Sequence, residues 1–243
     1  LHTYVNAYAI IKPICNVQNI RTKRSSSINP LCKILVMTNG LSPKIRMKIG
    51  VFDSGMGGLS VANAIEKALP EHQVIFVNDS NNIPYGKKSP ELLLSLVVPI
   101  LRNLEEQGCK VIVVACNTVS TTLIEQLRQQ IKVPLIAMEP MVKPAAEMSK
   151  AKIITVCATP TTLASERYKW LKSTYATGVK VIEPDCSDWT EMIETNSVDR
   201  QAIAKIVNDS CMAGSDVIVL GCTHYHWIED IIDEEARGRY TVI

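Results

Sequence analysis

The sequence predicts an α/β protein of two pseudo-symmetric half-domains, each a parallel sheet flanked by helices, with the site in the cleft between them. Three observations carry this. From Met47 onward, short β-branched runs alternate with longer amphipathic ones, the mark of a parallel sheet whose crossovers are helices. Three strands then recur in the same order at a nearly constant offset: Lys48 to Lys152 is 104 residues, Val74 to Val179 is 105, and Cys116 to Cys222 is 106. The third pair agrees in detail, GCKVIVVACNT against GSDVIVLGCTH, sharing G-x-x-V-I-V-x-x-C. Loose repetition is general among α/β chains, but a cysteine at the same strand end twice points to duplication.

The elements follow in order. KIGVF (48–52) reads as a strand and LSVANAIEKAL (59–69) as a helix. QVIFV (73–77) is the second strand, followed by a polar loop and a helix near 90–107. KVIVVAC (110–116) is the third, followed by a helix over 121–131. The second series has strands at 152–160, 179–185 and 216–222. The predicted boundaries are an extension over 1–46, a first domain over 47–138 and a second over 139–228, with 229–243 returning to the first.

Residues 1–46 hold seven Lys/Arg and no acid. They show no sustained period and are expected to be disordered or not native to the protein. An organelle-targeting segment is the competing reading. With a formal net charge of +2 for the whole chain, residues 47–243 sum to −5. That mildly acidic body gives no electrostatic reason to expect nucleic acid as a partner. No apolar run approaches the roughly 18 residues a membrane helix needs. Eight scattered cysteines without a C-x-x-C, in a sequence showing no recognisable secretory h-region, are expected to be reduced thiols of a cytoplasmic protein.

In open parallel α/β sheets, ligands bind beyond the carboxyl ends of the strands. The unusual polar residues fall there: Asp53-Ser54, Asn78-Asp79-Ser80, Cys116-Asn117-Thr118, Cys157 to Pro160, Asp185-Cys186 and Cys222-Thr223-His224. If the halves face each other, Cys116 and Cys222 approach a bound molecule from opposite sides. A thiol at a helix start lies where unpaired N–H groups favour negative charge, so its pKa can fall from about 8.5 toward neutrality. One thiolate can remove a proton while the opposite thiol returns one, which inverts a stereocentre without a covalent bond.

Five stretches resemble the glutamate racemases of the cofactor-independent aspartate/glutamate racemase superfamily: IGVFDSGMGGLSV (49–61), NDSNNIPYG (78–86), VVACNTVST (113–121), CATPTTLASERY (157–168) and VLGCTHYHWI (219–228). The resemblance implies that Cys116 and Cys222 are the acid/base thiols, with Asp53 and His224 their polar partners. It implies that Ser54, Tyr85, Gly86, Asn117, Thr118 and Thr223 hold the substrate, and that Glu194 stands behind the histidine. It implies glutamate as the small-molecule substrate, no cofactor, no metal, and D-glutamate for peptidoglycan synthesis in a bacterial setting, with a homodimer left open. His224 after Cys-Thr matches the glutamate branch; His226-Trp227 departs from the usual Pro-Leu. The family continues with a closing segment, so the C terminus looks truncated.

Other readings compete. DSGMGGLS resembles a nucleotide loop, but Ser60 replaces the third glycine of G-x-G-x-x-G and no G-K-[ST] follows. Cys222, His224 and His226 would need a further ligand to hold zinc, and a strand ending near Gly221 makes them diverge. Racemisation of aspartate or a hydantoin, and a non-catalytic amino-acid-binding protein on the same scaffold, are the functional alternatives.

Overall fold

The computed structural model describes residues 33–37 and 47–243, and the chain divides between Met138 and Glu139 into two units. In the first, β1 (Lys33–Met37), β2 (Lys48–Asp53), β3 (Gln73–Asn78), β4 (Cys109–Val114) and β5 (Leu135–Ala137) form one sheet in the order β1-β3-β2-β4-β5. Its helices are α1 (Leu59–Ala68), α2 (Pro90–Glu106) and α3 (Asn117–Gln130). In the second, β6 (Ile153–Cys157), β7 (Lys180–Ile182), β8 (Val217–Leu220) and β9 (Thr241–Val242) take the order β7-β6-β8-β9. Around them lie α4 (Val142–Met148), α5 (Pro160–Ala164), α6 (Glu166–Tyr175), α7 (Trp189–Glu194), α8 (Arg200–Met212) and α9 (Glu229–Ala236).

The predicted duplication is visible in the topology. Each sheet has a central trio in the same order, β3-β2-β4 and β7-β6-β8, with every pair parallel. Each trio carries one more parallel strand on the same flank, β5 beside β4 and β9 beside β8. Thr241 stands 106 residues after Leu135, as Cys222 stands 106 after Cys116.

Alternation of side chains along the strands buries both sheet faces. In the first unit, Phe52, Ile75, Val77, Ile112 and Val114 pack against Leu93, Val97, Leu101 and Leu104 of α2 and Leu123 and Leu127 of α3. The residues between them, Ile49, Val51, Val74, Phe76, Val111 and Val113, pack against Val61, Ala62 and Ile65 of α1. The second unit repeats the scheme. Ile154, Val156, Val217 and Val219 face α4 and α6, and Cys157, Ile218 and Leu220 face α8 and α9. Ser89 starts α2 by accepting from the Leu92 N–H, with Pro90 in the first turn where its missing donor costs nothing.

At the opening of β8, Asp216 accepts from Ser149 Oγ at 2.6 Å and from the Lys150 and Ala151 N–H groups at 2.8 and 2.9 Å. Burial pushes its carboxyl up, but these hydrogen bonds outweigh that and hold it below the usual range. Its contribution to stability is therefore present above the unfolded carboxyl's pKa and is lost as pH falls through the folded one.

Three expectations need correction. Lys33–Met37, left outside the predicted fold with the rest of 1–46, pairs antiparallel with β3, Lys33 opposite Asn78 and Met37 opposite Val74. A β-branched strand's open edge accepts another strand whatever its period, because the backbone supplies the bonds. The expectation for the remainder of 1–46 lies outside the described residues. Residues 229–243, expected to return to the first domain, belong to the second: Ile232 of α9 joins the core of α8, and Thr241 pairs with Val217. The duplicated sheet needs its flanking strand there. The strands also end earlier than predicted, at Val114 rather than Cys116 and at Leu220 rather than Cys222. Both cysteines are thus the residues from which the chain turns into the next helix.

Candidate active site

In the first unit, β2 delivers a fully buried Asp53 at its carboxyl end. The chain turns at once through Met56–Gly58 into α1, and Asp53 Oδ2 accepts from the Gly58 N–H at 2.9 Å and the Gly55 N–H at 3.4 Å. Backbone donors at a helix start suit a carboxylate that burial has stripped of water. Gly58 has an ordinary helical conformation, but a Cβ there would lie 2.4 Å from Asp53 Cβ. Glycine is required by space.

The neighbouring strand β4 ends two residues before Cys116, which immediately precedes α3. Its buried thiol donates to Ser54 Oγ at 3.4 Å. Asn117 and Thr118 follow it, buried in the first turn of α3. Ser120 Oγ donates to the Val114 carbonyl and accepts from the Met138 N–H, which ties this turn to the ends of β4 and β5. On the other side of β2, the loop after β3 carries Tyr85 and Gly86 in a 3-10 turn. Tyr85 donates to Asp79 Oδ2 at 2.6 Å, and the Asn82 amide reaches the same carboxylate at 2.9 and 3.0 Å. The structure thus gathers Asp53, Ser54, Tyr85, Gly86, Cys116, Asn117 and Thr118 at one end of the first sheet.

The second unit presents the matching end. Cys222 leads from β8 into a 3-10 turn over Thr223–Ile228. Thr223, His224 and the thiol are buried. Cys222 Sγ lies 3.7 Å from His224 Nδ1, and His224 Nε2 lies 2.6 Å from Glu194 Oε1. With Nε2–H donated to the carboxylate, Nδ1 accepts from the thiol; a second proton on the ring makes it a donor to the thiolate. Thiol, imidazole and carboxylate form a relay along which charge can be balanced, its sulfur and imidazole buried and its carboxylate partly exposed. Glu194 comes from α7, as does the buried Thr190, whose Oγ1 lies 3.8 Å from Cys222 Sγ. Trp189 of that helix stacks edge-on against Tyr225 at 5.0 Å between centroids, and Tyr225 donates to the Cys186 carbonyl at 2.8 Å.

His226 parts from the other two. It is half-buried and meets Glu229 at 3.2 Å in the first turn of α9. The hydrogen bond from His226 holds the Glu229 carboxyl below its usual range against the opposing effect of burial.

Two further buried thiols, Cys109 and Cys186, behave as small hydrophobes. Cys109, at the opposite end of β4, is pushed up to about 12 by burial. Cys186 is pushed well above the thiol range, first by its hydrogen bond with Cys157 and then by burial. Sequence reasoning missed Thr190, the role of Asp79 as the partner of Tyr85, and Gly58 as spacer for Asp53. The four-residue spacing of Thr190 and Glu194 within WTEMIE was the available signal, since it sets both on one helix face.

The family described as Asp/Glu/Hydantoin racemase matches this chain over residues 49–243. The glutamate racemase of Ralstonia pickettii is 37% identical over 207 residues, covering 84% of this chain and 73% of that protein. The glutamate racemase of Herpetosiphon aurantiacus is 39% identical over 192 residues, covering 77% and 76%. Among solved structures, Escherichia coli glutamate racemase, in complex with L-glutamate and the activator UDP-MurNAc-ala, aligns with a TM-score of 0.75 at 30% identity, covering 81% of this chain and 77% of that one. Aspartate racemase of Picrophilus torridus shares the fold, with a TM-score of 0.59 at 19% identity. With a match that spans both units and relatives this similar over most of their length, the chain belongs to the Asp/Glu/hydantoin racemase family.

Proposed function

We propose that this chain interconverts L- and D-glutamate by cofactor-free proton transfer between two thiols. The observation that carries the reading is the repetition of a buried thiol with a polar partner at equivalent positions of two duplicated sheets: Cys116 with Ser54, and Cys222 with His224 and Glu194. The reaction needs two proton carriers that address opposite faces of one α-carbon.

In the L to D direction, the Cys222 thiolate takes the α-proton and becomes a thiol. The electron pair left on the α-carbon spreads into the α-carboxylate. Cys116 gives its proton to the other face, leaving its own sulfur as thiolate. One proton is consumed and one released, so nothing else is required to balance the step. The reverse direction exchanges the roles. The α-proton is very weakly acidic, so donors to the developing charge and exclusion of water must do most of the work. Asn117, Thr118 and Thr223, at the turns that follow the two thiols, have the donors to hold carboxylates, with Tyr85 and Gly86 completing the substrate's surroundings. His224 balances charge at Cys222, and Asp53 is the polar partner on the Cys116 side. We place this enzyme in the cytosol, and its product in the supply of D-amino acids for cell-wall synthesis. Among the described residues, no helix is long and apolar enough to cross a membrane.

The test is a chirality assay on purified protein without added cofactor. L-glutamate should proceed to the racemic mixture, at a rate far above that for L-aspartate. Faster turnover of aspartate would reassign the substrate. Binding of glutamate without turnover by a folded chain would support the binding-protein alternative.

A further inference from the structure

Helix α7 sends two polar side chains to the Cys222 end of the second unit. Glu194 reaches His224, and Thr190, one helical turn earlier, reaches the sulfur itself at 3.8 Å. Thr190 is buried in company that is otherwise apolar or aromatic: Trp189 and Tyr225 belong to the same core as Cys157, Cys186 and Cys222. Valine would fill that space with no polar atom to satisfy. A hydroxyl buried there needs a partner to offset its lost hydration; the sulfur lies within range, and so does the Tyr225 phenol, whose own proton goes to the Cys186 carbonyl.

We propose that Thr190 is a positioning residue for Cys222, its hydroxyl donating to the sulfur when the sulfur carries negative charge. Hydrogen bonds to an ionised acceptor are stronger than those between neutral groups. The contact therefore favours thiolate over thiol and aims the sulfur's remaining lone pairs away from α7. One short helix then sets both parts of the relay, the sulfur through Thr190 and the imidazole through Glu194. This rests on the reading of Cys222 as a proton carrier. The titratable groups around that sulfur are His224, Glu194 behind it, and Cys157, Cys186 and Tyr225 in the adjoining core. The Tyr225 phenol is pushed up by burial first and by the neighbouring thiols second, so it stays a neutral donor.

The test compares the intact chain with Thr190→Val and Thr190→Ser. The first reading is the pH dependence of Cys222 alkylation by iodoacetamide, followed on its own peptide by mass spectrometry. Thr190→Val should move the midpoint upward by roughly half a unit to one unit, and Thr190→Ser should restore it. The second is the acid limb of kcat/KM for glutamate, which should move in the same sense and lower kcat/KM at pH values on that limb by about three- to ten-fold. An unmoved midpoint in Thr190→Val overturns the proposal. So does an equal shift in Thr190→Ser, since packing rather than the hydroxyl would then be responsible. An alkylation shift in a chain that does not racemise glutamate would leave the hydrogen bond standing and overturn the catalytic reading instead.

Discussion

Replacing either thiol by serine lowers glutamate racemisation by about a thousand-fold or more, measured by circular dichroism of the amino acid. Serine fills nearly the same volume in both buried positions, so the fold survives, which thermal unfolding checks. What changes is the acid. An alcohol ionises far less readily than a thiol, so Cys222→Ser removes the base for L-glutamate and Cys116→Ser the base for D-glutamate. Each variant also loses the acid for the other direction. The two enantiomers have equal free energy in water, so kcat/KM must fall equally in both directions whichever cysteine is changed. Cys109→Ser is the internal control: its thiol lies at the opposite end of β4 and is held protonated by burial. Activity near that of the parent in Cys109→Ser, with loss in the other two, separates proton transfer from packing.

Gly58→Ala is expected to cost about a hundred-fold in rate, without touching a reacting group. The new methyl would stand 2.4 Å from Asp53 Cβ, 2.9 Å from Asp53 Cγ and 3.1 Å from Phe76 Cε2. Phe76 is locked in the core against α1, so the aspartate must yield. Its displacement also weakens the bond from the Gly58 N–H, which holds the carboxylate in place. Overpacking of this kind costs about 1–3 kcal/mol of stability. A misplacement near 1 Å in a catalytic arrangement costs about a hundred-fold in rate. The expected outcome is a modest fall in the unfolding midpoint with a disproportionate loss of kcat. A stable Gly58→Ala variant with unchanged kcat would show that the position of Asp53 does not matter to turnover.

Much of this molecule was legible because its two periods coincide. The period of two along Ile49, Val51, Val74 and Phe76 sets one sheet face, and the offset near 105 residues marks the second sheet as a repeat of the first. Cys116 and Cys222 could be paired in the sequence because strand ends in duplicated sheets must coincide in topology. Edges were harder to read. β1, β5 and β9 are short and flanking, and their place is fixed by backbone pairing rather than by a side-chain pattern. That is why 229–243 was assigned to the wrong unit. The contact between Thr190 and Cys222 joins positions 32 residues apart. A lone threonine in a six-residue helix carries no chemistry until the fold shows what it faces. His226 looked like part of a ligand set only while it was read on a strand; the 3-10 turn over Thr223–Ile228 brings it to Glu229 instead.

The central claim is that one thiol takes the α-proton and a different thiol returns one. It is tested most directly by running L-glutamate in deuterium oxide and sampling before appreciable reverse reaction. A thiol carries a single proton that exchanges with solvent between turnovers. The account therefore predicts D-glutamate carrying deuterium at the α-carbon, while the remaining L-glutamate keeps its protium. D-glutamate that retains the original α-protium would require a single base working on both faces, and would contradict it.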